Sequence, residues 1–208
     1  MIRPFNPLTY ARHVFASDEA RTNVIFELLG RDEFCAAILR DLKTYGYEIS
    51  YPLFGPSGVY HSCLIKGEEG ADFKAAFMQR HVRGDFKARF ELSPRYGLGQ
   101  NAFYFIHELI HFDQDLKGHL YSRDMLVNEC EAAVQSIMAA HRLGGVVWEG
   151  ALSSLDWGTL ARIYGRDQDE EALQQLWQQS AQKRHYARRN IQASEGVSPV
   201  HLWKGLQV

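Results

Sequence analysis

Residues 101–112 read Asn101-Ala102-Phe103-Tyr104-Phe105-Ile106-His107-Glu108-Leu109-Ile110-His111-Phe112, and the rest of the chain is organised around how this stretch folds. Its apolar residues fall on nearly every side of a helical wheel, the pattern of a helix buried inside a domain. Side chains four apart share a helical face, so His107 and His111 project together with Glu108 beside them. Two imidazoles so placed can reach one ion at the roughly 2.0–2.1 Å of a zinc–nitrogen bond, and the adjacent carboxylate can take a proton from metal-acidified water. Burying Glu108 with no partner would cost on the order of several kcal/mol, whereas a divalent cation gives that charge a reason to be there. The competing reading is a pair of core histidines satisfied by hydrogen bonds within the fold.

Outward from this stretch, the spacing predicts a helix over 101–116, a loop around Gly118, and a second helix over 122–143 that stops at Gly144-Gly145. Upstream, 19–29 and 32–42 carry helical patterns separated by Gly30 and closed by Gly46. Residues 47–54 and 58–66 read as two strands around the turn Gly55-Pro56-Ser57-Gly58. Residues 85–93 alternate, with Phe86, Ala88, Phe90 and Leu92 on one side and Lys87, Arg89, Glu91 and Ser93 on the other, as in a half-buried strand. Downstream, 155–191 is helical with a charged break at 166–169, and Gln174-Gln175 and Gln178-Gln179 mark an exposed face. The expectation is an α+β fold in one domain, 1–208. It comprises a helical part (1–46), a sheet with the two chemistry-bearing helices (47–145) and C-terminal helices (151–192).

A chain of 208 residues, 46% apolar, can bury a substantial core. Its formal net charge of −2, with both signs scattered, offers no field to attract nucleic acid or an anionic membrane, so neither is expected as a partner. Cys35, Cys63 and Cys130 are odd in number and far apart, which fits neither a disulfide framework nor a CxxC site; reduced, mostly buried thiols are expected. Met1 to Pro7 contains no apolar segment of the secretory type, and no stretch approaches the roughly 20 apolar residues of a membrane-spanning helix. A cytoplasmic location is the corresponding expectation.

An open catalytic zinc site has three protein ligands, so the chain must supply a third. Eighteen residues after His111, in Asn128-Glu129-Cys130-Glu131-Ala132-Ala133, stands Glu129. The pair of motifs resembles the glutamate-zincin metallopeptidases, in which HExxH on one helix is completed by a Glu on the next. On that likeness His107, His111 and Glu129 are the metal ligands and Glu108 the general base. Glu131 is the rival third ligand. On a wheel, Leu126, Cys130, Val134, Ile137 and His141 form the apolar stripe, and Glu129 flanks it among Ala133, Ser136 and Ala140. Small neighbours let another helix approach, which favours Glu129, whereas Glu131 falls on the opposite margin near Gln135.

The departures from related patterns are equally specific. A third-histidine zincin would need Gly and His where this chain has Gln114 and Lys117, and His119 comes too late. The run Gly158 to Gly165 echoes an aspartate-zincin pattern but carries Ala161 at the ligand position. Many glutamate-zincins steady a zinc histidine with an Asp four residues after the ligand; here that residue is Ala133, so another acceptor is required.

The resemblance implies a zincin-like fold, with a small antiparallel or mixed sheet packed on the active-site helix, and a zinc-dependent peptidase acting on a peptide or protein substrate. It also implies that the substrate pairs with an edge strand, for which 85–93 is the candidate. Oxyanion donors are available in His119, Tyr121, Tyr164, His185 and Tyr186. Two other functions share these residues: a non-catalytic binding or regulatory module on the same scaffold, and a delivered effector or toxin protease with one protein target.

Overall fold

The computed structural model describes residues 17–52, 58–61, 87–155 and 157–180, with Tyr121 and Ser122 described through their backbone. Its N-terminal part is a helical pair. Helix α1 (Asp18–Leu29) starts where Ser17 Oγ accepts the Ala20 N–H at 3.1 Å. Helix α2 (Glu33–Tyr45) starts where Asp32 Oδ1 accepts the Cys35 N–H at 3.0 Å. Each side chain satisfies an amide that the first turn leaves without an intrahelical partner. Gly46, at φ 80°, turns the chain out of α2 and into the sheet.

Strands β1 (Tyr47–Ser50), β2 (Gly58–His61) and β3 (Ala88–Leu92) form a mixed sheet in the order β1-β3-β2. β3 runs parallel to β1, with Ile49 opposite Phe90, and antiparallel to β2, with Tyr60 opposite Phe90. Two expectations are corrected here. β1 and β2 do not pair with each other, because β3 lies between them. Nor is β3 an edge strand: alternation distinguishes the two faces of a strand but not its position across the sheet. Among the described residues the edge beside the helices belongs to β2.

Helix α3 (Leu98–Leu116) begins earlier than its sequence pattern predicts and is buried along its length; only Gln100 and Asp113 fall short of full burial. It packs against α1, α2, β2 and β3, and against the next three helices of the chain. An aromatic cluster joins it to the sheet. Phe105 stacks on Phe26 and meets Phe90 edge-on at 5.2 Å, and Phe112 meets Tyr60 edge-on at 6.0 Å. Aromatic pairs at these separations contribute about 0.5–1.5 kcal/mol each beyond the area they bury.

After α3, Gly118 adopts φ 72° and leads into the single turn α4 (His119–Ser122). Helix α5 (Met125–Leu143) follows, capped where Asp124 Oδ1 accepts the Leu126 N–H at 2.7 Å. Its buried positions include Glu129, Ala132, Ala133, Ser136 and Ala140 on the small-residue face together with Val134 and Ile137 of the apolar stripe, while Leu126 and Cys130 are only partly covered. Helix α6 (Gly145–Leu152) was not anticipated from the sequence, since Gly144 and Gly145 read as a stop. Both take positive φ, and the chain turns through them directly into the new helix. α6 lies backbone to backbone on α3: a Cβ at Gly150 would stand 2.2 Å from the Gly99 carbonyl group, and one at Gly99 would stand 2.0 Å from the Val146 oxygen.

Helices α7 (Gly158–Asp167) and α8 (Glu170–Gln179) complete the described chain. The charged break between them falls where expected, with Gln168 left-handed and Asp169 capping α8. Gln174, Gln175, Gln178 and Gln179 are exposed. Cys35 is buried and Cys130 half-buried, while Cys63 lies outside the described residues. No helix among the described residues is long and apolar enough to cross a membrane.

Candidate metal centre

His107 and His111 lie one turn apart on α3, with Nε2 atoms 3.1 Å from each other and rings perpendicular. Glu129 comes from the first turns of α5 and places one carboxylate oxygen on each: Oε2 is 3.4 Å from His107 Nε2, and Oε1 is 3.5 Å from His111 Nε2. Two ligand atoms bound tetrahedrally to one zinc ion lie about 3.3 Å apart. The three separations bracket that value. All three side chains are buried, at 6%, 6% and 3% exposure, so the donors converge on a point shielded from solvent.

Glu131 does not join them. Its carboxylate is 41% exposed and accepts from Arg123 Nη1 at 3.2 Å and from Gln114 Nε2 at 3.1 Å. The choice between the two acids follows from the wheel: the small face of α5 lets it approach α3 closely, and Glu129 is the acid on that face.

Glu108 is 3% exposed. Its Oε2 accepts the Tyr60 N–H of β2 at 2.8 Å, and Gly58 of the same strand lies flat over it, where a Cβ would come within 3.2 Å of Cγ and Oε1. The Tyr60 hydroxyl donates to the buried Asp115 Oδ2 at 2.6 Å, so one strand residue is tied to α3 at two levels. Sequence reasoning missed Tyr60 and Gly58, and nothing in their local pattern marks them, since only the sheet order brings β2 beside α3.

The other walls are Trp157, whose ring lies 5.1 Å from that of His107, and Gln114, whose Oε1 is 2.8 Å from His111 Nδ1. Trp157 is held by its N–H to Ser154 Oγ, which in turn meets the Tyr104 hydroxyl at 3.0 Å. Gln114 could have been found from its place three residues after His111 on one helix. It supplies the acceptor that Ala133 does not.

Burial pushes the Glu108 carboxyl up, a rise that Glu129 reinforces and the two imidazoles oppose. Burial would raise Glu129 as well, but His111 and His107 outweigh it and hold that carboxyl below the usual range. Burial alone would lower His111; Glu129 leads the groups that overcome it and bring it to about 9. Without a metal, the Glu129 charge therefore favours a proton on the His111 imidazole. His107 Nδ1 and Glu129 Oε2 are buried with no hydrogen-bond partner among the described residues. Two imidazoles and two carboxylates crowded out of water, with acceptor capacity left over, match the needs of a divalent cation of borderline softness.

Of the oxyanion candidates, Tyr164 packs edge-on against His141 at 5.5 Å and the His119 carbonyl accepts from Asn128 Nδ2. The side chain of Tyr121, together with His185 and Tyr186, lies outside the described residues. A depression of about 220 Å³ lined by Glu48, Ser50, His61, Arg89, Phe90 and Glu91 belongs to the sheet, and none of the cluster residues lines it. The chain matches no family model, no curated protein and no solved structure.

Proposed function

We propose that the chain is a zinc-dependent hydrolase of zincin-like architecture, acting on peptide bonds, in which His107, His111 and Glu129 hold the metal. The observation that carries this is the convergence, on one buried point, of donor atoms from two helices that the sequence separates. When bound, zinc supplies Lewis acidity and brings water to a pKa near neutrality.

Glu108 stands beside the ligands, in the role of a base that takes a proton from the attacking water and passes it to the leaving group. Burial raises its proton affinity, and a base that later returns its proton to the leaving group works best with an affinity above that of an ordinary carboxylate. The Tyr60 N–H fixes one carboxylate oxygen and leaves Oε1 as the second acceptor. Trp157 covers His107 and keeps water from that side.

Protein purified without chelator is expected to hold about one zinc per chain. Glu108→Gln is expected to keep that zinc while lowering kcat on a peptide library by about 10²–10⁴-fold, the usual contribution of a general base. Absence of stoichiometric zinc, or full activity in the variant, would sink the proposal. The depth of Glu108 beneath β2 favours one other reading, a metal-stabilised binding module. Zinc retention with no hydrolysis of any peptide by the unmodified protein would select it.

A further inference from the structure

We propose that Gln114 is the positioning residue for the metal centre: it fixes the tautomer of His111 and, through the first turn of α5, the placement of Glu129. The proposal rests on reading His107, His111 and Glu129 as metal ligands. Gln114 is 1% exposed, and both hydrogens of its amide group are committed, to the Asn128 carbonyl at 2.9 Å and to Glu131 Oε2 at 3.1 Å. Turning the amide over would set its oxygen against those two acceptors, so the orientation is determined.

Gln114 Oε1 therefore faces His111 Nδ1 at 2.8 Å, and an amide oxygen can only accept. The proton of a neutral His111 is then held on Nδ1. Its Nε2 presents a bare lone pair toward the point shared with His107 and Glu129, which is the form a metal needs. The same amide grips α5 at Asn128, the residue before Glu129. Asn128 is itself anchored by donating to the His119 carbonyl at 2.9 Å. One side chain thus sets a ligand on each helix, and Glu131, with Arg123 donating to it, holds that side chain in place.

A carboxylate at this position is not an equivalent. It would accept from His111, but it would have no proton for Asn128 and would face the Glu131 carboxylate as a like charge. Exchanging the two groups removes the like charge, because a Gln at 131 can donate to a Glu at 114, while the Asn128 carbonyl stays without that donor.

The test is zinc affinity, read by competition with a chromophoric chelator, for the unmodified protein, Gln114→Leu, Gln114→Glu and the double variant Gln114→Glu/Glu131→Gln. It is paired with the ring N–H resonances of the zinc-loaded, ¹⁵N-labelled protein. Both single variants are expected to weaken zinc about 10–100-fold, the usual effect of removing a ligand's outer hydrogen-bond partner. The double variant is expected to recover part of the loss relative to Gln114→Glu, the part due to the like charge at 131. The His111 Nδ1–H resonance should be sharp in the unmodified protein and exchange-broadened in Gln114→Leu, a change that general loosening of the fold would not confine to one ring. Unmodified protein that binds zinc while Gln114→Leu binds it equally well, or a double variant no better than Gln114→Glu, overturns the role of Gln114 alone. Unmodified protein that takes up no zinc overturns the metal reading and this proposal with it.

Discussion

Glu129 and Glu131 share a helix, a charge and a neighbourhood, and the structure gives them different work. Glu129 is sealed between α5 and α3 against both imidazoles, while Glu131 reaches the surface and pairs with Arg123. Glu129→Gln is expected to weaken zinc at least about 100-fold, whereas Glu131→Gln, which touches no ligand directly, should cost about tenfold or less by the same chelator competition. Equal losses in the two variants would contradict the assignment. This difference was legible in the sequence because side-chain size along α5 records which face another helix can approach. The setting of Glu108 was not, since its contacts, Tyr60 and Gly58, arrive from a strand far away in sequence.

Among the elements, the crossing of α3 and α6 depends on two glycines, Gly99 and Gly150, each of which would place a Cβ within 2.2 Å of the other helix's backbone. Backbone cannot yield as a flexible side-chain tip can, so the helices must move apart. Gly150→Ala is expected to destabilise the protein by at least about 1–3 kcal/mol, the cost of overpacking, and to loosen zinc because α3 carries two of the ligands. Thermal melts of the metal-free and zinc-loaded variant check both; a melting temperature unchanged from the parent would refute the close crossing. Here the sequence misled, because consecutive glycines serve equally to end a helix and to turn the chain sharply into another. The sheet was half legible in the same way: alternation located β3 and its buried face, but strand order is set by long-range packing, and β3 proved central.

Across the whole molecule, Arg142 in the last turn of α5 reaches back to Asp32 at the start of α2, with Nε donating to Oδ2 at 2.6 Å. This joins the N-terminal helical pair to the helix that carries Glu129. Burial alone would raise the Asp32 carboxyl, but the Arg142 guanidinium and the Cys35 N–H overcome it, so the carboxyl sits below its ordinary value. A carboxylate with a lowered folded-state pKa adds stability above its unfolded value of roughly 4, and that stability is lost as pH falls through the folded value. Asp32→Ala is therefore expected to lower the urea unfolding free energy by about 2 kcal/mol at pH 7, through loss of the cap and the ion pair. The gap should narrow below about pH 3; a gap of the same size there would refute the pairing. The burial of His107, His111 and Glu129 has a consequence in time rather than in energy. With ligands at 6% exposure or less, an ion seated among them can leave only when the surrounding helices part. Its residence is then governed by how often the fold breathes open, and two proteins with equal affinity for zinc could surrender it at very different rates.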